Sequence, residues 1–510
     1  MFDVCMSYKD MKYILIFAPM RLKSFITLLL CLCAVSDAFA QGWNVIWKGA
    51  AFMSGGSEEV LPFWAYTGRN GVLPATSAAT VTLGAEMEYG WTDGFFLEGA
   101  ADVAGFVAEN PSVRRAEAHG IVDRLYVSAG WKMLRADVGM LPRQRELGDL
   151  SITGGNMMWT SNARNIPGLN VRTDWIYPLE RLAFRGNIAH YQMTDRRSVA
   201  GAMLHDKSLE IKLRLTETIS LSGGLEHIAQ WGGVSASYGP QPSSLRDYMR
   251  VFFAQGGGEG ASSSDRINVL GNHLGREYIR MDWTMDKTSL VFQYDKPFED
   301  GSGLRMQNFP DGVWTMKMAF NDRKAFLTDL VCEFINTTWQ SGPLHDRPAT
   351  EEEMSGQDPS DPYYGRVILR GRDNYFNNSM YRSGWTYHGR VIGLPLIGGL
   401  AYEDDGTVAG ILCNRVRALH IGAGGNLAED LPYMFKATYS RNYGRYDQPE
   451  SSLYANAPWQ LSMAVEVGLS RKLTGLPAGF MVGVYSDIGR LYPDSFGITL
   501  KVDYSVSRNL

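Results

Sequence analysis

Apolar and polar residues alternate along most of this chain. Near its C-terminus Phe496, Ile498, Leu500, Val502, Tyr504 and Val506 are apolar, while Gly497, Thr499, Lys501, Asp503 and Ser505 are small, polar or charged. A period of two places one set on each face of a β-strand; wound as a helix, the same residues would scatter apolar groups around the cylinder. The pattern recurs in Val81–Trp91, Arg124–Trp131, Leu134–Met140, Leu209–Leu215, Ile279–Trp283, Leu290–Tyr294, Trp314–Phe320 and Leu461–Leu469. Such strands fit a soluble β-sandwich, or a barrel wall between lipid and a wet lumen.

Two features favour the barrel. Tight polar turns such as Thr92-Asp93-Gly94 and Met285-Asp286-Lys287 alternate with long irregular stretches near 141–180, 232–270, 340–386 and 442–458, the short-turn and long-loop asymmetry of outer-membrane barrels. Trp91, Trp131 and Trp283 stand at strand ends beside turns, where an interfacial aromatic girdle belongs. At roughly 10 residues per crossing, the length allows on the order of 16 to 18 strands, too wide for side chains alone to fill. The predicted fold class is all-β, a transmembrane antiparallel β-barrel. Residues 81–510 form its wall and extracellular loops, and 41–80 form an N-terminal periplasmic or plug segment.

Composition agrees. The 510 residues include 55 Gly, 25 Tyr and 13 Trp, and the net charge of -5 implies no nucleic-acid partner. Arg21 and Lys23 precede an apolar run from Phe25 to Val35 and then Ala38-Phe39-Ala40, the layout of a secretory signal over residues 1–40 cleaved before Gln41, with Met20 an alternative start. Cleavage leaves Cys332 and Cys413, enough for one bridge at most.

Catalytic and metal signatures are absent from the sequence. None of the eight histidines forms an H-x-x-x-H or H-E-x-x-H pair, and no G-x-S-x-G elbow occurs. The expectation is no metal, no cofactor and no catalysis. The densest polar-aromatic stretch is Asp373 to Arg390. Sugars need flat apolar faces for their C–H surfaces and planar polar groups for their hydroxyls. This stretch offers Asp373, Asn374, Tyr375, Asn377, Asn378, Trp385, Tyr387 and Arg390, with Trp159, Asn162 and Arg164 as a second group. The same composition also suits a structured loop whose amides build turns and whose aromatics pack.

Several segments together resemble the capsule assembly Wzi family. They are Trp159-Thr160-Ser161-Asn162-Ala163-Arg164-Asn165-Ile166-Pro167, Leu204-His205-Asp206-Lys207, Gly224-Leu225-Glu226-His227, Gln230-Trp231-Gly232-Gly233 and Gly271-Asn272-His273. Further on they are Pro297 to Gly303, Gln340-Ser341-Gly342-Pro343, Asp373 to Pro395, Asn414-Arg415-Val416 and Tyr439-Ser440-Arg441-Asn442. The resemblance implies a barrel of about 18 strands with a small periplasmic helical element near its N-terminus. It also implies a lectin-like, non-catalytic role in holding capsular or surface polysaccharide at the cell surface. The expected partners are that polysaccharide, outer-membrane lipid and the barrel-assembly machinery. Two alternatives stay open: a channel lined by Glu86, Glu88, Arg124, Arg135, Lys212 and Arg214, and a barrel hydrolase with a Ser/His pair acting on lipid or glycan.

Overall fold

The computed structural model describes residues 42–509 apart from 111–114, 259, 262–264, 267, 268, 345, 362, 370 and 449–452. The expected signal segment, 1–40, lies outside the described residues. The wall runs through β1 (Asn44–Gly56), β2 (Ala78–Gly90), β3 (Phe95–Asn110), β4 (Arg115–Trp131), β5 (Leu134–Met140) and β6 (Gly168–Thr173). It continues through β7 (Leu182–Gln192), β8 (Met203–Arg214), β9 (Ile219–Trp231), β10 (Asn272–Thr284), β11 (Thr288–Phe298) and β12 (Gly312–Phe320). The last six strands are β13 (Asp329–Asn336), β14 (Val416–Ala428), β15 (Leu431–Asn442), β16 (Trp459–Leu469), β17 (Gly479–Gly489) and β18 (Ser495–Asn509).

Each strand pairs antiparallel with its neighbours, and β18 pairs with β1 from Asn44↔Asn509 to Gly56↔Gly497, closing an 18-strand barrel. The short piece Ile176–Leu179 pairs only with β7 and extends the line of β6. Closure gives every strand of the ring a partner on both sides, which is what a wall without water around it requires; only the upper part of β4, residues 115–124, outreaches β5. No helix among the described residues is long and apolar enough to cross a membrane, so the crossing is made by strands.

The alternation sorts the two faces. Phe496, Ile498, Leu500, Val502 and Tyr504 all point outward and are between 40% and 48% exposed. Val81, Leu83, Val138, Leu169, Ile188, Leu209, Leu225 and Ile279 are likewise exposed, forming one apolar belt. The intervening Thr80, Ser128, Asp137, Glu226, Asp295, Glu333, Glu466 and Asp487 are buried inside. Trp91, Trp131 and Trp283 sit outward at the tight-turn end of the belt, and Phe95 stacks on Trp131 at 5.9 Å.

The connections segregate as expected. Turns such as Leu215–Thr218 and Met285–Lys287 lie at the end where β1 starts and β18 ends. The long connections 57–77, 141–167, 232–271, 337–415 and 443–458 all lie at the other. Two expectations need correction. The wall begins at Asn44, not at 81, because residues 44–56 find partners on both sides, β2 and β18. The helical element, α1 (Phe63–Tyr66), stands in the β1–β2 connection at the long-connection end and packs against β16 and β17, so it is not an appendage at the tight-turn end. Cys332 and Cys413 are both free thiols.

Candidate functional site

Three of the long connections fold back into the lumen: 57–77, 141–167 and part of 337–415. Wall carboxylates hold them there. Glu333 accepts hydrogen bonds from Ser151 Oγ at 2.6 Å and from the Ile152 amide at 2.7 Å. Asp295 accepts from the Met157 amide at 2.8 Å, Glu226 from Asn156 Nδ2 at 2.6 Å, and Asp487 from the Phe63 amide at 3.0 Å. Gly422 on β14 makes room for this insertion, since a Cβ there would stand 2.4 Å from the Leu150 carbonyl oxygen. The buried carboxylates thus find donors on backbone amides and polar side chains that also need partners.

The inserted segments share one apolar core. Met157, Met158, Trp385, Tyr387, Ile392 and Leu394 are buried to within 1% or less of full burial. Thr160 N–H donates to the Ile392 carbonyl and Leu394 N–H to the Met157 carbonyl, both at 2.8 Å, so the 141–167 and 373–397 stretches are laced together. Trp64 of α1 belongs to the same cluster and lies under the Lys436 ammonium, 4.5 Å from its ring centroid.

This arrangement decides where the sequence-predicted site residues go. Trp385 packs edge-on against Trp159 at 5.7 Å and its indole N–H donates to the Met158 carbonyl. Tyr387 hydrogen-bonds Thr194 through its hydroxyl at 2.7 Å, and the Tyr375 hydroxyl donates to Asp311 at 3.1 Å. All four aromatics are buried in the plug core, and of them only Trp159 also borders a lumen cavity. Asn162 donates to the Val391 carbonyl at 2.9 Å; Asn377 donates to the Ile411 carbonyl at 3.0 Å; Asn378 accepts from the Met380 and Tyr381 amides. These amides build turns. Arg390 donates to the Leu73 carbonyl at 3.0 Å and lies 4.7 Å over Tyr66; burial pulls its pKa down. Arg164 is half-buried, and burial pulls its pKa down too.

Asp373 and Asn374 fare differently. With Arg372, Tyr446 and Asp447 they line a cleft of about 160 Å³ at the long-connection end. Groups behind it hold each wall in place. Asp373 accepts from Ser341 Oγ at 2.7 Å, and Asn374 Oδ1 accepts from Asn414 Nδ2 at 2.6 Å. The Tyr446 hydroxyl donates to the Thr338 carbonyl at 3.0 Å while the Arg415 guanidinium stands 3.6 Å from its ring centroid. Burial raises the pKa of Asp447, but the hydrogen bond and charge of Arg445 outweigh it and hold the carboxyl below its usual range. Just beneath the cleft, Glu299 accepts from the Phe376 amide at 2.6 Å, and burial, reinforced by Asp373, raises its pKa well above the usual value. Asp311 accepts from the Trp339 and Gln340 amides at 3.0 and 2.7 Å; burial pushes its pKa up to about 6. Tyr446 and Asp447 were invisible as site residues in the sequence. The signal was the triplet Arg445-Tyr446-Asp447 within an otherwise unremarked loop.

On the other side of the plug, cavities of about 350, 280 and 570 Å³ remain in the lumen, the second lined in part by Lys212. Their charges are paired across the wall: Glu86 with Lys48 and Arg124, Arg185 with Glu210 at 2.7 Å, and Arg276 with Glu226 at 2.9 Å. Of the residues expected to line a channel, Glu86 and Arg124 are tied into this lattice, and Arg135 pairs with Asp174 at 3.0 Å. No group of three or more potential metal ligands occurs among the described residues.

No family model matches the chain. A search of curated proteins finds a Bos taurus zinc finger CCCH-type with G patch domain-containing protein, 33% identical over 78 residues; the match spans 15% of either chain and says nothing of the rest. Among solved structures, Wzi, an outer membrane protein involved in group 1 capsule assembly in Escherichia coli and a carbohydrate-binding β-barrel, aligns with a TM-score of 0.52 over 94% of this chain and 87% of its own, at 12% identity. The fold is that of an outer-membrane β-barrel. It resembles Wzi in that architecture, as the sequence segments implied. OccAB2 of Acinetobacter baumannii and OccK5 (OpdH) of Pseudomonas aeruginosa align at TM-scores of 0.46 and 0.44, each 8% identical, over 91% and 92% of this chain and 98% of theirs.

Proposed function

We propose that this protein is a non-catalytic capsule-assembly barrel of the outer membrane. It binds capsular or other surface polysaccharide at its long-connection end and anchors the polymer at the cell surface. Export through the cleaved segment 1–40, insertion by the barrel-assembly machinery and contact with outer-membrane lipid belong to the same reading. The observation that carries it is the cleft: one aromatic ring, Tyr446, beside two carboxylates, an amide and a guanidinium, all at one end of a barrel that shares its fold with the carbohydrate-binding Wzi. An aromatic face covers the C–H surface of a sugar ring, and Asp373, Asn374, Arg372 and Asp447 match its hydroxyls. A cleft this small takes one or two sugar units. Each contact is then weak and wet, and retention comes from many copies facing one long polymer.

The test is a pull-down of the producing cell's own capsule with purified barrels. Wild type retains the polymer. Tyr446→Ala and Asp373→Asn each weaken binding about tenfold, equivalent to roughly 1.4 kcal/mol, while heat-modifiable migration shows the barrel intact. Equal retention by folded variants would move the site elsewhere.

A further inference from the structure

The described residues of the 232–271 connection do not enter the lumen. It folds down over the outside of the wall, and what it presents there is unexpected for a loop in water. Its helix, α2 (Leu245–Phe252), starts at a capping box: Ser244 Oγ accepts from the Asp247 amide at 3.2 Å, and the Asp247 carboxylate accepts from the Ser244 amide at 3.1 Å. One face of α2 grips the wall. Tyr248 lies 5.4 Å from Trp231 and 5.4 Å from His205, both outward-facing, and Phe252 lies 5.0 Å from His205 with the Lys207 ammonium 4.1 Å from its ring centroid. Val251 is fully buried against Ala229 and Trp231.

A neighbouring face carries Leu245, Met249 and Phe253, spaced by four and therefore in one stripe. They are 78%, 44% and 60% exposed. Arg246 and Arg250 border the stripe on the side away from the wall, Arg250 also pairing with Asp247 at 3.2 Å. Soluble surfaces seldom gather apolar groups this way unless something covers them. The strand beneath shows what does. On the outward face of β8, Lys207 under α2 is followed by Leu209, 57% exposed, which opens the apolar belt. Two residues of strand span about 7 Å. The stripe is thus continuous with the lipid-facing surface and lies at its margin, with cations at headgroup height.

We propose that α2 is an interfacial anchor: Leu245, Met249 and Phe253 enter the outer leaflet, and Arg246 and Arg250 meet its phosphate-bearing headgroups. The anchor fixes the height of the barrel in the membrane, so the cleft stands a set distance above the lipid. The inference rests on the wall alone and holds whichever polymer the cleft binds.

The full-length chain tests it. Met249→Cys, in a background where Cys5, Cys31, Cys33, Cys332 and Cys413 are all replaced by Ser, takes a nitroxide label, and the barrel is reconstituted in vesicles of phosphatidylethanolamine, phosphatidylglycerol and lipopolysaccharide. A second label at Glu352→Cys, on an exposed loop helix, is the aqueous reference. The label at 249 is expected about 5–10 Å below the phosphates, favouring oxygen over a nickel complex as collision partner, and the label at 352 the reverse. Equal nickel accessibility at both positions overturns the proposal. So does protection from both reagents with spin–spin broadening at 249, which would mean that a second copy covers the stripe. Should Met249→Cys fail to fold, Phe253→Cys carries the same expectation.

Discussion

Replacing Trp385 by alanine separates the plug from the wall. The side chain is completely buried, packs on Trp159 and donates its indole hydrogen to the Met158 carbonyl. Truncating a core tryptophan to alanine costs about 3–5 kcal/mol, and the orphaned carbonyl pushes the loss toward the upper end. The wall does not depend on this residue, because its strands are held by a closed ladder of backbone hydrogen bonds. The loss therefore falls on the inserted segments 141–167 and 373–397. Where cleavage tracks the population of the open form, even the lower figure of about 3 kcal/mol corresponds to at least roughly 100-fold faster proteolysis. Trypsin acting near Arg382 and Arg390 reads this directly. Heat-modifiable migration should be unchanged, and planar-bilayer recordings should show ionic current that wild type lacks. Trp385→Phe, which keeps most of the packing, should give an intermediate rate. Wild-type proteolysis and no current in Trp385→Ala would refute the view that this core holds the plug.

Four further outcomes follow from the same geometry. Leu500→Arg, in the middle of the lipid-facing strand β18, should destabilise the barrel in bilayers by about 2–4 kcal/mol, measured by urea-dependent folding into vesicles. Glu333→Gln turns one of its oxygens into a donor facing Ser151 Oγ, the Ile152 amide and Thr315, and should cost about 1–3 kcal/mol, read as a lower denaturant midpoint for plug proteolysis. Asp311 has a folded pKa raised by burial to about 6, so the folded state binds the proton more tightly than the unfolded. Its contribution is greatest below the unfolded value and falls as pH rises toward and past 6. Hydrogen-exchange protection of residues 336–340, corrected for intrinsic rates, should drop over that window in wild type and stay flat in Asp311→Asn. Purified wild-type barrels should show no steady conductance.

Much of the wall was legible because strand alternation is a local property. Ile498, Leu500 and Val502 declare their side of β18 with no knowledge of its partners. β1 was not legible, since Gly49 and Ala51 face lipid while Ile46 and Phe52 face inward, blurring the contrast; only its pairing to β2 and β18 makes it a strand. Asp373 to Arg390 shows a different limit. Aromatics and amides compose a sugar platform and a plug core equally well, and burial, which tells them apart, depends on Met157, Met158 and Trp159 more than 200 residues earlier in the chain. Within that stretch Asp373 and Asn374 reach the cleft because they precede the turn that carries Tyr375 inward. Tyr446 stood alone in its loop, without neighbours in sequence to announce it.

The seam between β1 and β18 has a bearing on how the molecule is born. The first strand made must wait for the last before either is satisfied, and α1 hangs from that first strand while its amide reaches Asp487 on the second-to-last. A chain cut short ahead of residue 479 would therefore lose both the seal of the rim and the carboxylate that moors its stopper.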